Sequence, residues 1–126
     1  MDVIFMLKKL PEAEFEVMKA VWETPVPMNV NAVAERIERD WKIQAVITLM
    51  NRLVERGFIR TEKSGKDRLY YPLITREEYL KFETGNFLKQ YHENSLLNLV
   101  TTLYDNKGLT ESDIDELLQW AKDRKE

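Results

Sequence analysis

Gln44, Thr48, Asn51 and Arg52 follow one another at spacings of four and three residues, with Arg52 four beyond Thr48. On a helix of 3.6 residues per turn that spacing gathers them along one side. Their shared chemistry is multi-point hydrogen bonding: an amide donates and accepts, a hydroxyl does either, and a guanidinium donates through a rigid fork. Base edges in the DNA major groove present the matching pattern. Gln44 suits adenine, Thr48 a hydrogen bond or a thymine methyl, Asn51 a base or phosphate, and Arg52 guanine or the backbone. An ordinary solvated helix face, the competing reading, is usually a mixture of Glu and Lys. Farther along, Lys63, Lys66 and Arg68 supply cations of the kind that neutralise phosphates.

Other chemistries find less to work with. The chain has no cysteine, which removes disulfides, thiolate nucleophiles and sulfur-bound metals, and its one histidine, His92, has no second ligand near it. His92 reads as a surface or helix-packing residue. There is no Ser-His set and no glycine-rich phosphate loop; the adjacent carboxylates Glu77 and Glu78 diverge on a helix and read as first-turn charges favoured by the helix dipole. Neither an enzyme nor a bound cofactor is expected.

In 126 residues, a 44% hydrophobic and 10% aromatic composition is that of a globular chain with one core and room for an appendage. The net charge of −3 hides a positive window from Lys42 to Pro72, with the acidic excess mostly beyond Leu73. The apolar run at residues 3–7 is short for a targeting segment and has no basic stretch before it, and nothing approaches the roughly 20 apolar residues of a membrane span. A cytoplasmic protein without membrane contact is expected.

The elements that would carry the polar face can be read in order. Pro11 opens a first helix bearing Phe15, Met18, Val21 and Trp22, and the prolines of "TPVP" end it. Asn29 caps a second helix with Val33, Ala34 and Ile37. The stretch 41–60 predicts a third helix, with Val46, Leu49, Met50, Leu53 and Val54 on its core side and Gly57 as its stop. Two β-prone runs flanking "KSGKD" predict a hairpin over 58–74, with one of Tyr70 and Tyr71 inward and the other outward. The fold class is therefore mainly α: a winged helix-turn-helix of three helices and a small hairpin at 1–74, then a helical region at 75–126.

That region contains three further helices, two of them opened by the boxes Thr75/Glu78 and Thr110/Asp113. Leu80, Phe87, Leu88 and Tyr91 line the first; Leu96, Leu99, Val100, Leu103 and Tyr104 the second; Ile114, Leu117 and Leu118 the third. Apolar stripes beside a small winged domain need a cover, and a second copy of the chain is the simplest one. These residues are the expected dimerisation set. Trp22, Trp41 and Trp120 read as core or interface aromatics.

Several stretches together resemble the penicillinase-repressor (BlaI/MecI/CopY) family of winged-helix regulators: "PEAEFEVMKAVWE" at 11–23, Trp41, "TLMNRLVERGFI" at 48–59, "YYPLITREEY" at 70–79, and "LTESDIDELLQW" at 109–120. The resemblance implies a homodimeric repressor on a palindromic promoter operator of double-stranded DNA, each winged domain reading one half-site, with Gln44, Ala45, Thr48 and Arg52 at base- or backbone-reading positions. This chain differs at the helix start, with Lys42, Ile43, Gln44 and Ala45 where such proteins often have a Ser-Pro-Lys-Thr-like run. It lacks the cysteine-rich tail of copper-sensing members, and Thr102-Leu103 stands where β-lactam-responsive members are cut at Asn-Phe. The inducing protease or small-molecule effector is left open by the sequence. The alternative is a winged-helix adaptor that binds protein and not a DNA sequence; the positive window favours DNA.

Overall fold

A computed structural model describes residues 7–125, so the apolar run at 3–7 falls outside it except for Leu7. The order is α1 (Glu12–Glu23), α2 (Val30–Ala34), α3 (Ile43–Glu55), β1 (Ile59–Ser64), β2 (Asp67–Pro72), α4 (Arg76–His92), α5 (Leu96–Asp105) and α6 (Glu111–Lys125). This is a winged helix-turn-helix followed by a helical region. Two compact units divide the chain, Met1–Phe82 and Glu83–Glu126. The sequence boundary at residue 74 differs from that division by the opening turns of α4, because Tyr79 is buried in the core of the first unit and Phe82 packs against it.

The first unit is built around α1 and α3. Val17, Met18 and Val21 of α1 meet Val46, Met50 and Leu53 of α3, with Val33, Phe58, Ile59, Tyr70 and Ile74 closing the same core. Pro11 is the N-cap and not the first helical residue: its carbonyl accepts from the Phe15 N–H at 2.9 Å, and Glu12 and Glu14 fill the first turn. Asn29 caps α2 through Oδ1, accepting from the Ala32 N–H at 2.9 Å. α2 ends at Ala34, earlier than its apolar pattern suggested; Ile37 lies in the turn beyond it and still packs on the core.

α3 begins at Ile43 and stops by geometry. Gly57 has a φ of 80°, its N–H donates to the Val54 carbonyl and the Phe58 N–H to the Leu53 carbonyl, which is the paired 5→2 and 6→1 closure of a helix C-terminus. A side chain is strained at that φ, so glycine is needed there. The hairpin turn is tighter than the five-residue loop expected: Ser64 pairs with Asp67, leaving Gly65 (φ 63°) and Lys66 as the loop. Tyr70 faces inward and Tyr71 is half-exposed. Met28 adds a one-residue bridge to Tyr70, exchanging backbone hydrogen bonds at 2.8 and 3.4 Å. No strand pattern announced it, since Pro27 and Asn29 flank a single residue.

One charged pair sits at the edge of this core. The Glu14 carboxylate, 2% exposed, takes the Arg56 guanidinium through Nε at 2.5 Å and Nη2 at 3.3 Å. It joins α1 to the cap of α3, where the chain turns into the wing. The hydrogen bond to Glu14 raises the Arg56 pKa above its ordinary value, against an opposing effect of desolvation. An aromatic cluster then fixes the start of α4. Tyr79 lies within 6.1 Å, ring centre to ring centre, of Phe15, Trp22, Phe58 and Phe82. Its hydroxyl accepts from the Leu10 N–H at 2.8 Å, and Trp22 Nε1 donates to the Ile74 carbonyl at 2.9 Å.

Two capping boxes and a serine cap set the starts of α4, α5 and α6. Thr75 and Glu78 exchange hydrogen bonds at 2.9 and 3.1 Å, as do Thr110 and Asp113, and Ser95 caps α5 by accepting from the Asn98 N–H. The Thr110 N–H, then its hydroxyl, hold the Asp113 carboxyl below the usual carboxylate range. His92 is buried, its Nδ1 2.6 Å from Asn98 Oδ1 and its ring 5.3 Å from that of Phe87, so of the two roles expected of it, surface or helix-packing, it is the second that its burial matches. α5 and α6 bury no residue in the single chain.

Removing the partly exposed Arg56 leaves the nearly buried Glu14 carboxylate without its ionic partner. Arg56→Met is therefore expected to lower unfolding free energy by about 2 kcal/mol, between the effects at a surface pair and a fully buried one, and Glu14→Leu in that background to restore most of it. Urea denaturation of the two variants measures both, and a neutral Arg56→Met would remove the pair from the account.

Candidate nucleic-acid interface

Burial of one side of α3 determines what the other side offers. Val46, Leu49, Met50 and Leu53 are buried, and Gln44, Ala45, Thr48, Asn51 and Arg52 are all exposed. Thr48 Oγ1 donates to the Gln44 carbonyl at 3.0 Å, a bond within the helix that engages its hydroxyl proton and leaves its methyl and lone pairs for a ligand. Lys42, the N-cap, makes no side-chain cap; the Ala45 N–H donates to the Lys42 carbonyl at 2.9 Å, and those of Ile43 and Gln44 are open among the described residues. Glu55 is exposed in the last turn, three residues beyond Arg52 and on the same outward side as Gln44, Thr48 and Asn51. An acid there is unfavourable beside phosphate, which confines useful contact to the earlier turns of the helix.

The wing contributes a second group. Lys63 and Arg68 are directly opposite each other across the strands, on the same face as the neighbouring pair Thr61 and buried Tyr70. Like charges in that position are destabilising by themselves. Lys66 is at the tip, and with Arg68 it lines an open groove of about 350 Å³ together with Asn29, Asn31 and Ile47, so α2, α3 and the wing meet around one concavity. Among the described residues Arg52, Lys63, Lys66 and Arg68 form no ion pair. Arg68 makes one long contact with Thr61 Oγ1, at 3.5 Å. Arg60 is different: it pairs with Glu62 at 2.9 Å and lies 3.9 Å over the Tyr71 ring.

The helices beyond the wing expose a third feature. Leu80, Phe87, Tyr91, Leu96, Leu103, Tyr104, Leu117 and Leu118 are exposed, while Leu88, Leu99, Val100 and Ile114 are half-buried. Leu97, 73% exposed, and Trp120, 55% exposed, belong with them. Leu97 breaks the helical spacing beside Leu96, which is why periodicity passed over it. Glu14 and Arg56 were also missed, for a different reason: a glutamate among apolar neighbours in α1 is the visible signal, but its partner is 42 residues away. Among the described residues no group of three or more His, Asp or Glu could hold a metal ion, and no helix is long and apolar enough to cross a membrane.

Comparison with known proteins decides the family. Residues 10–123 match the penicillinase repressor family. The chain belongs to that family. The penicillinase repressor of Bacillus licheniformis is 28% identical over 124 residues, 94% of this chain and 96% of that protein. The methicillin resistance regulatory protein MecI of Mammaliicoccus sciuri is 31% identical over 111 residues, 86% of this chain and 89% of that one. The solved DNA-binding domain of the repressor BlaI is 29% identical, covering 58% of this chain and 94% of its own, with a TM-score of 0.48. Membership in the penicillinase repressor family makes the chain a transcriptional regulator and not an enzyme.

The opposed cations of the wing give a prediction with two signs. Lys63→Thr is expected to leave the fold as stable or stabilise it by up to about 1 kcal/mol, while weakening duplex binding and reducing the log–log salt slope by about one unit if the wing meets phosphate. Thermal denaturation and binding titrations at several salt concentrations measure the two effects.

Proposed function

We infer that the chain is a DNA-binding transcriptional repressor that acts as a homodimer on a palindromic operator. The observation that carries this is the partition of α3: its apolar stripe is consumed by the core, and what remains outward is an amide, a hydroxyl, a second amide and a guanidinium in a member of the penicillinase repressor family. In this reading the N-terminal turns of α3 enter the major groove, Gln44, Ala45, Thr48, Asn51 and Arg52 meet base edges or the adjoining backbone, and Lys63, Lys66 and Arg68 meet phosphates beside the groove. Open N–H groups at the start of α3 favour the same polarity of approach, since they suit an anion.

Dimerisation is supported by the second unit. Two helices without a buried residue leave leucines, a tyrosine and a tryptophan exposed, and clustered exposed apolar residues of this kind mark interaction surfaces. A second copy would cover Phe87, Leu88, Tyr91, Leu96, Leu99, Val100, Leu103, Tyr104, Ile114, Leu117 and Leu118, with Leu80 at the margin, and a two-fold pair of winged units calls for inverted half-sites in the DNA. The relatives' own names, a penicillinase repressor and a methicillin resistance regulatory protein, agree with a role in repression.

Arg52→Ala tests the reading face. Loss of a base contact is expected to cost about 1 to 3 kcal/mol in operator affinity and to relax sequence preference at one position of each half-site, whereas loss of a phosphate contact weakens all duplexes alike. Equal affinity of the variant and the parent would remove Arg52 from the interface.

A further inference from the structure

The first turn of α3 carries an apolar side chain that neither the core nor the polar face explains. Ile43 is 39% exposed at the first helical position, beside the open N–H groups. One turn on, Ile47 is half-buried and lines the groove shared with Asn31, Lys66 and Arg68. On the other flank of Gln44 stands exposed Ala45, and Thr48, a turn above Gln44, has its hydroxyl proton engaged by the Gln44 carbonyl. Ile43 and Ala45 thus flank Gln44 about 100° to either side of it around the helix, and the Thr48 methyl lies one turn above. An isoleucine 39% exposed gains stability when something apolar covers it. In the major groove the apolar group on offer is the 5-methyl of thymine.

We propose that Ile43 is a specificity-determining residue that reads a thymine methyl beside the base pair contacted by Gln44. This rests on the DNA-binding reading above and extends it: the half-site is defined by a methyl contact as well as by hydrogen bonds, and the residue that makes it lies outside the polar set. Ile43 presents a branched surface too large for a methyl-free position to fill, so cytosine or uracil there leaves it in contact with water.

The test uses the full-length chain and a duplex that it selects from a random pool. Each thymine of one half-site is replaced in turn by deoxyuridine, which removes the methyl and nothing else. Burial of one methyl predicts about a three- to fivefold loss of affinity at the thymine facing Ile43. Ile43→Ser should bind the thymine and deoxyuridine duplexes equally, and Ile43→Val should keep most of the discrimination. Loss at a thymine that persists undiminished in Ile43→Ser assigns the contact to another residue and overturns the proposal. So does tight binding of the selected duplex with no deoxyuridine effect at any position, which leaves the repressor reading standing. Selection of no preferred duplex overturns that reading and this proposal together.

Discussion

The union of α1 and α3, closed at one end by the Glu14–Arg56 pair, is the constraint on which the other features rest. The apolar contact between Val17, Met18 and Val21 and the α3 stripe of Val46, Met50 and Leu53 sets the rotation of α3 about its axis. A stripe contact alone tolerates sliding along the helix. The two-point hydrogen bond from Arg56 to a nearly buried carboxylate does not, because a forked donor and a carboxylate match in one register and a slip of one turn would strand a charge. Arg56 is also the cap residue, so the same bond fixes where α3 ends and where the wing begins.

From that anchor the geometry of the outward face of α3 follows. With the core side of α3 fixed, Gln44, Thr48, Asn51 and Arg52 project outward, and the wing returns beside α2 so that Lys66 and Arg68 share a groove with Asn29 and Asn31. The wing is held at its base by the Met28 bridge to Tyr70 and by Phe58, whose carbonyl accepts from the Leu73 and Ile74 N–H groups. Its tip carries uncompensated cations. Stability is concentrated where position matters, and charge repulsion is left where a polyanion can relieve it.

Much of this was legible in the sequence because the signals were local. The α3 stripe, the Asn29 cap, the Gly57 stop and the two capping boxes each depend on residues within a few positions of one another; Val46, Leu49, Met50 and Leu53 of the stripe are buried, and the caps and the stop have the hydrogen bonds expected of them. What was not legible depends on distance. Glu14 and Arg56 are 42 residues apart, the Met28 bridge reaches a tyrosine on another element, and Tyr79 joins the winged core although the helix that carries it reads as the start of the next region. Ile43 was named in the sequence only as a departure at the helix start, and the fold is what shows it exposed.

The central claim is that the outward side of α3 reads DNA sequence in a two-fold pair of chains. Selection of bound fragments from a random duplex pool by the full-length chain, at two salt concentrations, tests it most directly. The account predicts an inverted repeat with half-site centres about one helical turn apart, and with affinity that falls steeply as salt rises. Recovery of fragments with no shared sequence, or binding indifferent to salt, would contradict it.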